Sequence, residues 1–141
     1  MGAGRQALLG QLMASLRSHV LLDAPADAVW QVIGDTAAVA DWFPSMKSST
    51  GDTRQRTVVL GDGSVLEEAV VTHDPARRRL QYRVTGGDLP VTDHLGTVDV
   101  LEIDPGRSIV VYSTEISPDS LADAFDAAIS EAVAGLPAHL S

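Results

Sequence analysis

The sequence predicts an α+β fold in which one curved antiparallel sheet of about six or seven strands wraps around a long C-terminal helix. Two observations lead to this prediction. From Met46 onward, short apolar segments with strand character follow one another with turn residues between them and no interleaved helices, which is typical of an antiparallel meander. The chain then ends in a segment with apolar residues at three- and four-residue steps, which predicts an amphipathic helix from about Pro118 to Leu136.

The segment before the meander supplies the remaining elements. Leu16 to Asp23 is apolar and partly alternating, which predicts the first strand. Pro25 then begins the first of two short helices, and the second covers Ala37 to Phe43. Residues 1–15 have a weaker helical pattern and are expected to form an extra helix or a disordered extension. The 141 residues are therefore divided into this extension and a single domain at 16–141.

Five segments of the meander have the clearest strand pattern, and Gly-, Asp- and Pro-containing turns separate them. They are RTVVL (56–60), SVLEEAVVTH (64–73), RLQYRVT (79–85), TVDVLEI (97–103) and SIVVYSTEI (108–116). A strongly curved sheet that wraps a single helix cannot close on itself, so we expect a cavity between the two. Gly135 and Pro137 are expected to end the last helix early.

Composition and charge exclude several classes of function. The chain has no cysteine, which rules out disulfides, thiolate metal ligands and a cysteine nucleophile. Its net charge of −9 disfavours nucleic acid as a partner. No apolar run reaches membrane-spanning length and no secretory signal is present, so we expect a cytoplasmic protein without membrane insertion. It is expected to be a monomer or a homodimer.

No cofactor or metal is expected. The four histidines are dispersed, and none forms a helical pair with an acidic partner: His19, His73, His94 and His139. The glycines at 61, 63, 86 and 87 follow strands but lead into further strands, so they cannot present a helix N-terminus to a pyrophosphate.

Five longer motifs follow one another between about Leu16 and Leu136: AVWQVIGDTAAVADWFP, the hairpin RTVVLGDG, SVLEEAVVTHDPARRRLQYRV, GGDLPVTDHLGTVDV and VVYSTEISP. In this order and spacing they resemble the SRPBCC, or START-like, superfamily. That superfamily includes bacterial polyketide cyclase/dehydrase-type proteins, birch-pollen-allergen-like proteins and plant abscisic acid receptors. The resemblance implies a helix-grip fold around a ligand cavity, with entrance loops at Leu60–Ser64 and Gly86–Val91.

The resemblance also implies a set of site residues. The residues that line the pocket in the receptor-like branch fall on Lys47, Glu68, Tyr82 and His94, although a Tyr is commoner than a His at the last position. Arg56 matches an Arg that recurs in the bacterial proteins, where it braces the entrance loop or binds a ligand oxygen. A structural salt bridge is the favoured interpretation for Arg56.

Strand alternation tests part of this set. Glu68 shares a strand face with apolar neighbours, but so does Glu67, so parity alone does not choose between them and the resemblance favours Glu68. Tyr82 alternates with apolar residues, as an inward aromatic does. His94 alternates with Gly and Val residues and could place its imidazole at the cavity mouth, or could be a satisfied or solvated histidine.

The remaining candidates rest on residue type. Lys47 is the only lysine among ten basic residues, which suggests that arginine cannot replace it, with chance retention as the alternative. Trp42 is expected to pack under the short helices or to form a wall near the pocket mouth. Tyr112 and Phe125 are expected in the core or along the cavity without a chemical role.

Two functions fit these expectations. The first is a cofactor-independent cyclase or aromatase acting on a polyketide-like or other natural-product intermediate, with Lys47 or Arg56 holding a carbonyl or enolate oxygen and Glu68 or His94 moving the proton. The catalytic candidates are thus Glu68, His94 and Lys47. The alternative is a non-catalytic carrier or sensor of a hydrophobic ligand, with Lys47 pairing a carboxylate. A co-chaperone domain of the same superfamily ranks third.

Overall fold

The computed structural model describes residues 13–141 and contains one antiparallel sheet of seven strands in the order β1-β7-β6-β5-β4-β3-β2. The sheet curls around the C-terminal helix, so the predicted helix-grip fold is confirmed. The elements are β1 (Ala14–Leu22), α1 (Ala26–Ile33), a 3₁₀ helix (Thr36–Asp41), β2 (Met46–Gly51), β3 (Gln55–Leu60), β4 (Val65–Asp74), β5 (Arg79–Gly87), β6 (Asp93–Asp104), β7 (Arg107–Ser117), a 3₁₀ turn (Asp119–Leu121) and α2 (Ala122–His139).

Strand alternation creates the core on the concave face of the sheet. Along β7 every second residue from Ser108 to Ile116 is buried, whereas those between them are half-buried. The same alternation on β3 to β6 buries Val58, Leu66, Leu80 and Val98. Helix α2 covers this face and packs against β1 and β7.

The sheet separates into two halves where β5 meets β6. The ladder between these strands covers only the four pairs from Arg79↔Asp99 to Tyr82↔Gly96. Beyond Tyr82, β5 continues beside β4, and β6 continues beside β7. The loop that joins β5 and β6 lies at this separation, so the sheet is open there rather than closed by backbone hydrogen bonds.

Two boundaries differ from the sequence expectations. β1 begins at Ala14, so the last two positions of the predicted extension belong to the sheet. Most of that extension, residues 1–12, lies outside the described residues. β2 at Met46–Gly51 was not distinguished as a separate strand, because its composition of Ser, Thr, Lys and Gly lacks the apolar alternation of the other strands.

The expectation that Gly135 and Pro137 end the last helix early is wrong. Helix α2 continues through Pro137 to His139, and the Leu140 N–H still donates to the Leu136 carbonyl at 3.0 Å. A proline removes only its own hydrogen bond, here to the turn before it. Burial of Leu136 and packing of Leu140 against the core offset that loss.

The helix-grip packing predicts a large cost for truncating Leu136, which is 0% exposed on α2. Leu136→Ala should lower the free energy of unfolding by about 2–5 kcal/mol, because it leaves a cavity between the helix and the sheet. Urea unfolding followed by circular dichroism measures this loss. The matched control is Leu101→Ala, since Leu101 is 49% exposed on the outer face and should change stability by about 0.5 kcal/mol or less. Equal losses in both variants would contradict the packing of α2 on the sheet.

Candidate ligand-binding cavity

A cavity of about 380 Å³ lies between α2, the concave face of β2 to β5 and two loops. Its walls are mostly apolar, and the two loops contribute Gly61, Asp62 and Leu89. These loops are the ones that the resemblance implied as entrance loops. The full lining is Phe43, Ser45, Met46, Leu60, Gly61, Asp62, Leu66, Glu68, Tyr82, Leu89, Ala124, Phe125, Ala128 and Ile129.

Glu68 supplies a carboxylate to this apolar enclosure. It is 4% exposed, whereas Glu67 points outward and accepts a hydrogen bond from the Thr57 hydroxyl at 2.7 Å. Strand alternation alone did not distinguish the two glutamates, and the structure shows that Glu68 is the one that faces the cavity. The structure places it directly opposite Arg56 in the β3–β4 register.

Arg56 holds one oxygen of that carboxylate. Its Nε donates to Glu68 Oε1 at 2.7 Å, and its Nη1 donates to the Thr36 carbonyl at 3.1 Å. The guanidinium also lies 4.6 Å above the centre of the Tyr82 ring. Arg56 is 2% exposed and does not line the cavity. Of the three expected roles, its position therefore fits the structural salt bridge and not a direct contact with a ligand oxygen.

The protonation of this pair follows from its burial and its mutual contact. Burial raises the pKa of Glu68, and Arg56 opposes that shift. Burial lowers the pKa of Arg56 more than any other single cause, but the charge and hydrogen bond of Glu68 together with Tyr82 and Tyr112 outweigh it, and the pKa is raised. The 2.7 Å contact between Arg56 Nε and Glu68 Oε1 is that of a guanidinium–carboxylate ion pair, in which the two opposite charges cancel.

Tyr82 forms the second polar group on the cavity floor. Its hydroxyl hydrogen-bonds the hydroxyl of Tyr112, and the two rings meet edge to face with centroids 6.5 Å apart. Burial raises the pKa of Tyr82 well above its ordinary value and that of Tyr112 to about 12. Both phenols are therefore neutral at physiological pH. Tyr112 lies in the core behind Tyr82 and does not line the cavity.

His94 lies behind the wall rather than at the cavity mouth, so that expectation is wrong. It is 1% exposed, with its ring between Tyr82 at 5.2 Å and Phe125 at 5.9 Å. Its Nδ1 accepts a hydrogen bond from the Val84 N–H at 3.1 Å. Burial, helped by the nearby arginines, lowers the pKa of His94 to about 4. Where β5 and β6 separate, the neutral imidazole of His94 thus accepts the Val84 N–H in place of a carbonyl of a neighbouring strand.

The expectation that Lys47 projects into the cavity is also wrong. Lys47 is an exposed residue of β2 and lies beside a separate shallow depression formed with the 3₁₀ helix. Met46 is buried and lines the cavity instead. A register irregularity between Met46 and Ser48 accompanies this placement. That Lys47 is the only lysine of the chain was therefore not a sign that it lies in the cavity.

The aromatic candidates divide between the wall and the core. Phe125 on α2 is half-buried because it faces the cavity, whereas Trp42 packs against Phe43 and Tyr112 in the core. Trp42 Nε1 and Thr114 Oγ1 are buried without a hydrogen-bond partner among the residues described. Phe43, not its neighbour Trp42, forms the wall near the mouth.

Gly96 is a residue that the sequence reasoning missed. A Cβ at this position would lie 2.5 Å from Tyr82 Cε1, 2.6 Å from Cζ and 2.9 Å from the hydroxyl oxygen. The absence of a Cβ lets the Tyr82 ring approach the backbone of β6 closely. A glycine within a strand pattern is the signal that could have identified such a close approach.

Within residues 13–141, no group of three or more His, Cys, Asp and Glu side chains is arranged to hold a metal ion. The described helices are also too short or too polar to cross a membrane.

Residues 13–138 match the family described as polyketide cyclase/dehydrase and lipid transport. The chain belongs to this family. It is part of the START-like superfamily that the motifs implied. No curated protein matches the chain.

Several solved structures share the fold of this protein. The protein XoxI from Bacillus cereus is 24% identical, with a TM-score of 0.83 over 91% of this chain and 96% of that chain. A Thermobifida fusca protein is 30% identical, with a TM-score of 0.72 over 91% of each chain. The Zhui aromatase/cyclase from Streptomyces sp. R1128 is 21% identical, with a TM-score of 0.70 over 91% of each chain.

Gly96→Ala should displace the Tyr82 ring into the cavity. We expect a loss of about 1–3 kcal/mol in the free energy of unfolding, and weaker binding of the neutral probe N-phenyl-1-naphthylamine. Gly86→Ala is the matched control, because a Cβ there meets nothing within 4 Å. Unchanged stability and probe binding in Gly96→Ala would contradict the close approach.

The buried neutral His94 predicts an acid-side stability loss. Because its folded pKa is depressed from 6.5 to about 4, its contribution is complete above pH 6.5 and is lost as the pH falls toward 4. Over that interval the loss is about 3 kcal/mol, at about 1.4 kcal/mol for each pKa unit. Urea unfolding at several pH values should show that His94→Gln removes this slope. His19→Gln, at an exposed position, should retain it, and an unchanged slope in His94→Gln would contradict the assignment.

Proposed function

We propose that the protein encloses a small, mostly apolar molecule and acts on it as a cofactor-independent cyclase or aromatase of a polyketide-like or other natural-product intermediate. The observation that carries this proposal is the arrangement of Glu68. Arg56 binds Glu68 Oε1, while Oε2 has no hydrogen-bond partner within residues 13–141. The carboxylate and Tyr82 line the same apolar cavity. A single bound ligand can therefore contact both a proton acceptor, Glu68, and a hydrogen-bond donor, the Tyr82 hydroxyl.

The chemistry assigned to these groups is an aldol-type closure followed by loss of water. Glu68 accepts a proton from a carbon next to a ligand carbonyl, and the resulting enolate carbon attacks a second carbonyl of the same molecule. The Tyr82 hydroxyl donates a hydrogen bond to the oxygen on which negative charge develops. The protonated Glu68 returns its proton to that oxygen, which gives the alcohol and regenerates the carboxylate. Glu68 then accepts the remaining proton on the carbon next to the alcohol carbon, the carbon–oxygen bond breaks as the double bond forms, and the hydroxyl leaves with the proton from Glu68 as water.

The surrounding residues keep both groups in the required state. Tyr112 can donate its proton to the Tyr82 oxygen, which leaves the Tyr82 proton for the ligand. Arg56 fixes the orientation of the Glu68 carboxylate and favours its ionised form. The apolar walls exclude water from the reacting atoms and fold the ligand chain.

The volume limits the ligand. A cavity of about 380 Å³ is near the lower end of the range of about 300–1,000 Å³ for small-molecule sites. A two- or three-ring product or its open-chain precursor fits such a volume better than a long acyl chain.

The alternative function, a carrier of a hydrophobic ligand, is supported by the predominance of apolar side chains in the lining. A carrier needs enclosure and one polar anchor, whereas a cyclase needs the carboxylate to accept a proton. A measurement of turnover therefore separates the two functions.

Turnover of a short poly-β-ketone offered as its N-acetylcysteamine thioester should depend on Glu68. We expect aromatic product from the wild type, detected by absorbance and mass spectrometry, and a kcat lower by about 10²- to 10⁴-fold in Glu68→Gln. Lys47→Met and Glu67→Gln are matched controls at exposed positions and should retain wild-type turnover.

Binding of N-phenyl-1-naphthylamine and circular dichroism verify that each variant is folded, because Glu68→Gln leaves Arg56 without its counter-ion. Probe binding without turnover in the wild type would support the carrier. Equal turnover in Glu68→Gln and the wild type would remove Glu68 from the reaction.

A further inference from the structure

The charges that line the cavity restrict what can bind there. Among the lining residues within 13–141, Glu68 and Asp62 are the charged ones, and both are carboxylates. Asp62 lies at the mouth and accepts a hydrogen bond from the Ser64 N–H at 2.9 Å. That bond lowers the pKa of Asp62, which is therefore ionised at neutral pH.

The nearest cation does not offset these carboxylates for a ligand. Arg56 donates to Glu68 and to the Thr36 carbonyl and is covered by the Tyr82 ring. It is absent from the lining, so a bound anion could not reach its donors. Lys47, the other expected anchor, lies outside the cavity.

The positive end of helix α2 is compensated as well. The first turns of α2 contribute Ala124 and Phe125 to the wall, and a helix N-terminus attracts anions. Asp119 precedes the helix and Asp123 lies in its first turn, where their negative charges oppose that attraction. The enclosure thus offers a ligand no uncompensated positive charge from the described residues.

We propose that the cavity selects uncharged ligands and that Glu68 Oε2 accepts a hydrogen bond from a ligand hydroxyl group. This inference rests on the proposed binding of a small molecule in the cavity and specifies its chemical class. The Arg56–Glu68 pair is already neutral and Asp62 lies at the mouth, so a ligand charge placed deep among the apolar walls would have no partner of opposite charge there. A carboxylate would also be repelled by Glu68 and Asp62, which excludes fatty-acid anions in particular.

Four naphthalene probes of similar size test the charge preference at pH 7 through their fluorescence. They are 2-naphthol, which is neutral with a donor; 2-methoxynaphthalene, which is neutral without one; 2-naphthylmethylammonium; and 2-naphthoate. We expect 2-naphthol to bind about tenfold or more tightly than 2-methoxynaphthalene, because a hydrogen bond to a charged group is lost in the ether. The ammonium should bind more weakly than 2-naphthol, and 2-naphthoate weakest of all.

Glu68→Gln should change the preference in opposite directions for two probes. With the amide oxygen retained by Arg56 Nε, the NH₂ group takes the place of Oε2 and offers donors to the ligand. The Arg56 charge also loses its counter-ion. We therefore expect the affinity for 2-naphthol to fall by about tenfold and that for 2-naphthoate to rise. Glu67→Gln, at the exposed neighbouring position, should leave both affinities unchanged.

The outcomes separate this inference from the proposed function. Binding of 2-naphthoate as tight as or tighter than that of 2-naphthol in the wild type would overturn the charge selection while leaving a ligand-binding cavity. No binding of any of the four probes would instead contradict the proposed function. The wild-type ranking needs no variant, so the test stands even if Glu68→Gln does not fold.

Discussion

The buried ion pair between Arg56 and Glu68 is the contact on which the site depends. It joins β3 to β4 at directly paired positions, ties both to the 3₁₀ helix through the Thr36 carbonyl, and covers the Tyr82 ring on β5. Burying two charges costs solvation free energy that their attraction repays only with good geometry. We therefore read the pair as a means of holding a carboxylate in a dry cavity, where it retains a free oxygen.

Curvature of the sheet provides the cavity that the Glu68 side chain lines. The β5–β6 ladder ends at Tyr82↔Gly96, so the two halves of the sheet separate beside the entrance loop. His94 fills the separation with its ring and accepts the Val84 N–H that a neighbouring strand would otherwise pair. A closed sheet packed tightly on α2 would have more contacts and no room for a ligand.

The placement of polar groups explains why similar residue types have different roles here. Glu67 and Glu68 are adjacent, yet one is exposed on the surface and the other lies in the cavity, because successive side chains of a strand point to opposite faces. Lys47 and Met46 show the same division on β2, with the methionine inside. Desolvation disfavours an unpaired ammonium inside such a cavity, and the exposed position of Lys47 avoids that cost.

The sequence alone determined the class of fold, because strand and helix periodicities and turn residues are local signals. It also indicated Glu68 and Tyr82, through alternation and resemblance. Only the tertiary structure decided which glutamate faces inward, that Lys47 lies outside, and that Arg56 is already paired. Those outcomes depend on strand register and on partners 12 or more residues away in the chain, such as Glu68 for Arg56 and Tyr82 for Gly96. No local sequence pattern encodes contacts between residues so far apart in the chain, because these contacts form only when the sheet curls around α2.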